Sequence, residues 1–157
     1  MTGKQQLKSQ ALLQRAQVSE ERAASIRELR RSAYVAVLNQ HSVVERAMRG
    51  AWEETPCVEF DSSGRYAEIV REVNLLQEKL HLAELEGPLD VATRAARIMA
   101  FESQSIANLV AVVESNGSSN RSPEHCDSNM SRDDHDGRIN VRDAFIDTAR
   151  DMLGTTF

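Results

Sequence analysis

Apolar residues recur at steps of three and four along most of the 157-residue chain, the spacing of helices that bury one face. From about Gly3 to Glu54 there is no proline and only Gly50 interrupts. This stretch predicts a single helix of about 50 residues, about 75 Å long at 1.5 Å per residue. Its apolar stripe runs through Ile26, Leu29, Ala33, Val37, His41, Val44, Met48 and Trp52, with Tyr34 and Leu38 widening it. Before Ile26 the stripe thins to Leu7, Leu12, Leu13, Ala16 and Val18, so the first 20 residues either fray or await a partner.

The segment Thr55-Pro56-Cys57-Val58-Glu59-Phe60-Asp61 ends that helix, because proline restricts the residue before it and lacks an amide donor. A second helix is expected from Ser62 or Ser63. Its positions Tyr66, Ile69, Val73, Leu76, Leu80 and Ala83 alternate by three and four without a fault, a heptad seam. Leu75, Leu82 and Leu85 add an apolar flank, which predicts contact with two neighbouring helices. Gly87-Pro88 then separates it from a third helix, expected from Pro88 to about Glu114. The buried face of the third helix is expected to hold Ala92, Ala95, Ala96, Met99, Ile106, Leu109, Val110 and Val113.

Residues 115–138 are rich in Ser, Asn, Asp and Gly and almost free of apolar side chains, the composition of a flexible polar linker. Beyond it, Asn140 is suited to cap a short amphipathic helix with Val141, Phe145, Ile146, Ala149, Met152 and Leu153 on its apolar face and Gly154 past its end. The expected fold is therefore all-α: an antiparallel bundle of three helices over 1–114 with a projecting N-terminal helix, a linker over 115–138, and a docking helix over 139–157.

Charge changes this picture by its distribution. The net charge is −5, which gives no overall attraction to nucleic acid or an anionic membrane. Yet residues 1–52 carry a net +5, residues 53–114 a net −7 and residues 115–157 a net −3. A basic first helix against an acidic second one lets a packed pair neutralise its own charge. Sixteen arginines stand against three lysines, a bias suited to GC-rich coding. Only 4% of residues are aromatic, so aliphatic side chains must fill the core. Cys57 and Cys126 form neither a CxxC nor a zinc spacing and are expected to be free thiols. No signal-type apolar region opens the chain and no run of about 18 apolar residues occurs in it. The expected setting is cytoplasmic, without membrane insertion.

The sharpest local pattern is Asp133-Asp134-His135-Asp136-Gly137-Arg138-Ile139-Asn140-Val141-Arg142-Asp143. With Gly137 as the turn of a calcium loop, Asp134, Asp136, Asn140 and Asp143 fall at oxygen-ligand places, in a likeness to EF-hand and dockerin loops. Arg132 occupies the first place, where those loops carry Asp, and no second loop accompanies it. The competing expectation is a polar linker running into a capped helix. His125, Cys126, Asp127 and His135 form no standard metal spacing. Arg22, Arg27, Arg30 and Arg31 make the densest basic cluster, a candidate phosphate grip. Glu20, Glu21 and Glu28 are interleaved with it, and no helix-turn-helix follows. His41 and His81 are expected to be core or edge histidines, and Glu68, Glu72 and Glu78 a solvated helix face. Nothing matches a nucleophile elbow, a phosphate loop, a dinucleotide fingerprint or HExxH, and no residue nominates itself as catalytic.

Three features, the Arg-rich approach to Arg30-Arg31-Ser32-Ala33-Tyr34, the Leu85-Glu86-Gly87-Pro88 break followed by Val91, and the ending Phe145-Ile146-Asp147-Thr148-Ala149-Arg150, resemble a loosely defined set of uncharacterised actinobacterial helical, coiled-coil-like proteins. The resemblance implies a helical architecture in a bacterial cytosol and brings no catalytic residue with it; the N-terminal membrane anchor of many such proteins has no counterpart here. The expected function is helix-mediated interaction with another protein or with itself, without catalysis, through Leu7, Leu12, Leu13, Ile26 and Leu29. A calcium-responsive module and a nucleic-acid-binding regulator using the basic face of the first helix are the alternatives.

Overall fold

The computed structural model describes residues 3–54, 64–117 and 128–154. Four helices follow one another: α1 (Gly3–Glu54), α2 (Arg65–Glu86), α3 (Leu89–Gly117) and α4 (Ser128–Leu153). There is no strand among the described residues.

Each helix offers a stripe of buried positions three and four apart, the register that lets helices cross at a shallow angle and interlock. In α2 the stripe is Ile69, Val73, Leu76, Leu80 and Ala83, as its sequence pattern predicts, while Tyr66 stays exposed. In α1 it holds Tyr34, Val37, His41, Val44, Met48 and Ala51, all at or near zero exposure. In α3 it is Val91, Ala95, Ile98, Glu102, Ser105 and Leu109; Ala95 and Leu109 belong to the expected face, Met99 and Ile106 pack against the core beside it, and Ala96 is exposed. The inward row of α4 is Asp134, Arg138, Val141, Phe145, Ala149 and Leu153.

Side-chain bonds give the direction of each packing. Arg30 donates to the Glu86 carbonyl and Gln40 to the Glu72 carbonyl, so α2 runs back along α1. Ser105 pairs with Asp134 and Glu102 with Arg138, which makes α4 antiparallel to α3. Trp52 reaches Asp134, and the Tyr34 and Phe145 rings meet edge to face at 5.8 Å, so α4 is antiparallel to α1 as well. With α2 and α3 also in contact, the helices form a closed up-and-down ring.

Two corrections to the sequence-based expectation follow. The linker expected over 115–138 is helical at both ends: 115–117 finish α3, and 128–138 form about three turns of α4. Only its middle, 118–127, lies outside the described residues, together with Cys126. The C-terminal helix is thus a full fourth member of 26 residues. Its first half is polar in composition because its inward side chains bury charge. The second concerns Leu75, Leu82 and Leu85: α2 does touch two neighbours, α1 and α3, but these three side chains remain solvent-exposed. The helix break expected at 55–61, with Cys57, lies outside the described residues.

Glycines sit where backbone or side chains demand them. Gly64 and Gly154, at the start of α2 and the end of α4, have φ of 67° and 64°, the left-handed region that glycine enters without a Cβ clash. A Cβ on Gly87 would lie 2.6 Å from the Ala83 carbonyl oxygen and 3.0 Å from the Tyr34 hydroxyl. The α2–α3 turn therefore closes onto α1 only with glycine there.

Candidate functional site

The ring encloses a polar cluster at the level where α1, α3 and α4 meet. Arg138, 2% exposed, reaches inward from α4. Its Nε donates to Glu102 Oε1 at 2.9 Å and its Nη2 to Glu102 Oε2 at 2.9 Å, a two-pronged grip on a fully buried carboxylate. Nη1 donates to Asp134 Oδ2 at 2.7 Å, one turn earlier on the same helix, and Nη2 also to Ser105 Oγ at 2.8 Å. Ser105 in turn donates to Asp134 Oδ1, and Trp52 Nε1 to Asp134 Oδ2 at 3.1 Å. One guanidinium thus ties α3 to α4, and Asp134 carries the tie on to the end of α1. Planar, bidentate geometry of this kind is what arginine supplies and lysine does not.

His41 flanks this cluster from α1. Its Nε2 lies 3.5 Å from Glu102 Oε1, and neither ring nitrogen makes a hydrogen bond among the described residues. Burial, followed by the positive charges of Arg138 and Arg142, pushes the imidazole down to about 4, against the opposing pull of Glu45. It is therefore neutral at pH 7. Burial also raises the Glu102 carboxyl, with Arg138 opposing. For Arg138, burial acts downward, but the bonds and charges of Glu102 and Asp134 outweigh it and raise the group. The guanidinium stays charged, and two carboxylates share it.

A cavity of about 250 Å³ opens beside the cluster between Glu45, Trp52, His135 and Arg138, and another of about 220 Å³ lies on the Phe101, Ser105 and Met130 side. Glu45 lies 3.7 Å from His135 Nδ1 and 3.6 Å from Arg142 Nη1. Glu45, Trp52, Asp134 and Arg138, which face these cavities, are committed to one another or to neighbouring side chains, which suits a lock between helices.

The calcium loop does not form. Asp134, Asp136, Asn140 and Asp143 all lie on α4, where a turn of 100° per residue sets Asp134 on the face opposite the other three. Asp134 faces inward to Arg138, while Asp136, Asn140 and Asp143 face solvent. Gly137 has no positive φ; it makes room for Phe101, whose ring would come within 2.5 Å of a Cβ. Arg138 lies over that same ring, 5.5 Å from its centroid. Among the described residues, no group of three or more His, Cys, Asp or Glu is arranged to hold a metal ion. His125, Cys126 and Asp127 are outside the described residues.

The expected contact residues have a different setting. Leu7, Leu12 and Leu13 are 67%, 66% and 70% exposed, and Ile26 and Leu29 are 47% and 55% exposed. Every residue from Gly3 to Leu29 whose side chain is described is exposed. Arg22, Arg27 and Arg31 are exposed too, while Arg30 is engaged with Glu86. No described helix is long and apolar enough to cross a membrane.

The buried cluster went unseen in the sequence because an acid and a serine occupy seam positions of α3. The signal was nonetheless there: Val91, Ala95, Ile98, Glu102, Ser105 and Leu109 step by four and three without a break, and Asp134 and Arg138 stand one turn apart.

No protein-family model, curated protein or solved structure matches this chain.

Proposed function

We propose that this protein works by helix-mediated protein–protein interaction, as a binding or regulatory component without catalysis of its own. The four-helix ring is the rigid base, and residues 3–29 of α1 are the contact element. The observation that carries this reading is the exposure of Leu7, Leu12, Leu13, Ile26 and Leu29 on a continuous helix that runs past the end of the ring. Most helical stability in proteins comes from packing of an apolar face, and residues 3–29 have none of their described side chains buried. Covering their apolar side chains returns up to about 1.5–3 kcal/mol for each one fully buried, so an occupant is favoured on stability grounds alone.

The cluster around Arg138 supports this division of labour, because it specifies which helices pair and in which register, and thereby fixes the direction in which α1 leaves the ring. Buried polar groups are best attested in this register-setting role. The test is the pair of substitutions Leu13→Asp and Ile26→Asp. Both positions are exposed, so the ring folds unchanged. The reading expects loss of association, seen as altered mass in solution and lost partner retention. Unchanged mass together with unchanged retention contradicts it.

A further inference from the structure

The projecting half of α1 is not the only apolar surface left open. Leu75, Leu82 and Leu85 follow one another on α2 at steps of seven and three, a stripe on the outside of the ring, and Leu89 stands beyond the turn at the start of α3. Leu85 and Leu89 are 83% and 81% exposed. Glu78 and Lys79 stand inside this stripe, Asp90 lies just beyond its end, and residues 65–90 carry a net −3.

The projecting helix has the complementary character. Ala11 and Val18, one heptad apart, floor a shallow groove whose sides carry Arg15 and Arg22. Leu7 and Lys8 extend this face toward the N-terminus, while Glu20, Glu21 and Glu28 fall on other sides of the helix. From Leu7 to Val18 and from Leu75 to Leu85 the two stripes are each about 16 Å long. A chain cannot cover its own α2 stripe with this segment, because α1 passes the end of α2 at Arg30 and continues straight away from it. A second copy can.

We propose that the chain forms a two-fold dimer in which residues 7–18 of each α1 lie along the Leu75–Leu85 stripe of the other copy. The proposal rests on the helix-mediated reading above and names its partner. Each contact is then made twice, as closed two-fold symmetry requires. Lys8, Arg15 and Arg22 meet an acidic surface containing Glu78 and Asp90. Parallel pairing of the two projecting halves would instead set Lys8, Arg15 and Arg22 against their own copies, a like-charge arrangement that costs stability.

Sedimentation equilibrium on the full chain tests this, with Leu82→Glu/Leu85→Glu on the α2 stripe, Arg15→Glu/Arg22→Glu on α1, and Leu13→Asp/Ile26→Asp. Helicity by circular dichroism confirms that each variant keeps its fold. The expected result is a wild-type dimer at micromolar concentration whose dissociation constant rises at least about tenfold in both glutamate variants and also rises with salt. A wild-type chain that stays monomeric at hundreds of micromolar overturns the dimer. A dimer that ignores Leu82→Glu/Leu85→Glu but dissociates with Leu13→Asp/Ile26→Asp overturns the α2 docking and leaves the helix-mediated reading standing. A dimer indifferent to every α1 variant overturns both.

Discussion

Replacing Arg138 by methionine keeps the aliphatic stem of the side chain and removes its charge. Glu102, which is fully buried, and Asp134, 9% exposed, are then left without their shared cation. Five donor contacts vanish at once, three to Glu102, one to Asp134 and one to Ser105. Breaking a buried ion pair from one side costs about 3–5 kcal/mol. This is about a fifth or more of the roughly 5–15 kcal/mol that holds a typical domain together. With a urea dependence of about 2 kcal/mol per molar, within the usual range, the unfolding midpoint should fall by about 2 M. The sign of the pH effect is also fixed. Burial already raises the Glu102 carboxyl against the pull of Arg138; without the guanidinium that opposition is gone, so the penalty is full at high pH and shrinks as falling pH protonates Glu102. Urea unfolding followed by helicity at pH 8 and pH 5 reads both quantities. A loss under about 1 kcal/mol at pH 8, or a loss larger at pH 5, would refute the assignment of Arg138 as the charge that holds α3 and α4 together.

His41 predicts a second pH dependence. Its folded pKa of about 4 lies below the unfolded 6.5, so its neutral form is favoured by folding, and stability is lost as pH falls from 6.5 toward 4, by up to about 3 kcal/mol. Glu102, raised by burial, pulls the other way over the acid range, so the comparison is between wild type and His41→Leu; their urea midpoints should converge or cross as pH drops, and parallel curves would contradict the argument. Asp134 and Asp143, equivalent as ligands in a calcium loop, should behave unlike each other: Asp134→Ala costs about 3 kcal/mol, while exposed Asp143→Ala stays within about 0.5 kcal/mol. Similar thermal shifts in the two would argue against the helical placement of this segment. Gly87→Ala should destabilise by about 1–3 kcal/mol through crowding against the Ala83 carbonyl and Tyr34, and a variant as stable as wild type in urea would show that the turn closes differently.

What could be read from the chain before its structure depended on whether seam positions were apolar. In α2 every buried position from Ile69 to Ala83 is aliphatic, and the periodicity alone placed it. The long first helix was equally plain, since neither proline nor a run of turn residues interrupts it before Thr55. In α3 the pattern points to Ala95 and Leu109 but not to Glu102 and Ser105, polar residues on the same seam. In α4 the first half has the composition of a linker because Asp134 and Arg138 are its inward side chains and Gly137 supplies space for Phe101 rather than a turn. Hydropathy cannot distinguish a charge buried beside its counter-ion from a charge in water. Only the partners on other helices make that difference, and they are some 30 residues or more away in sequence for Glu102 and Arg138. The exposed apolar residues of α1 were legible for the converse reason, since their thin stripe is too sparse to belong to a core.

The division between a locked ring and a projecting helix that needs an occupant is tested most directly by hydrogen exchange measured residue by residue across protein concentrations. In dilute solution the amides of 3–29 should exchange rapidly while those around Val37, His41 and Val44 stay protected. Protection over 3–29 should then rise with concentration, or on addition of a partner that the Leu13→Asp/Ile26→Asp variant fails to retain. Full protection of 3–29 in the dilute monomer, or rapid exchange there under every condition of binding, would contradict the account.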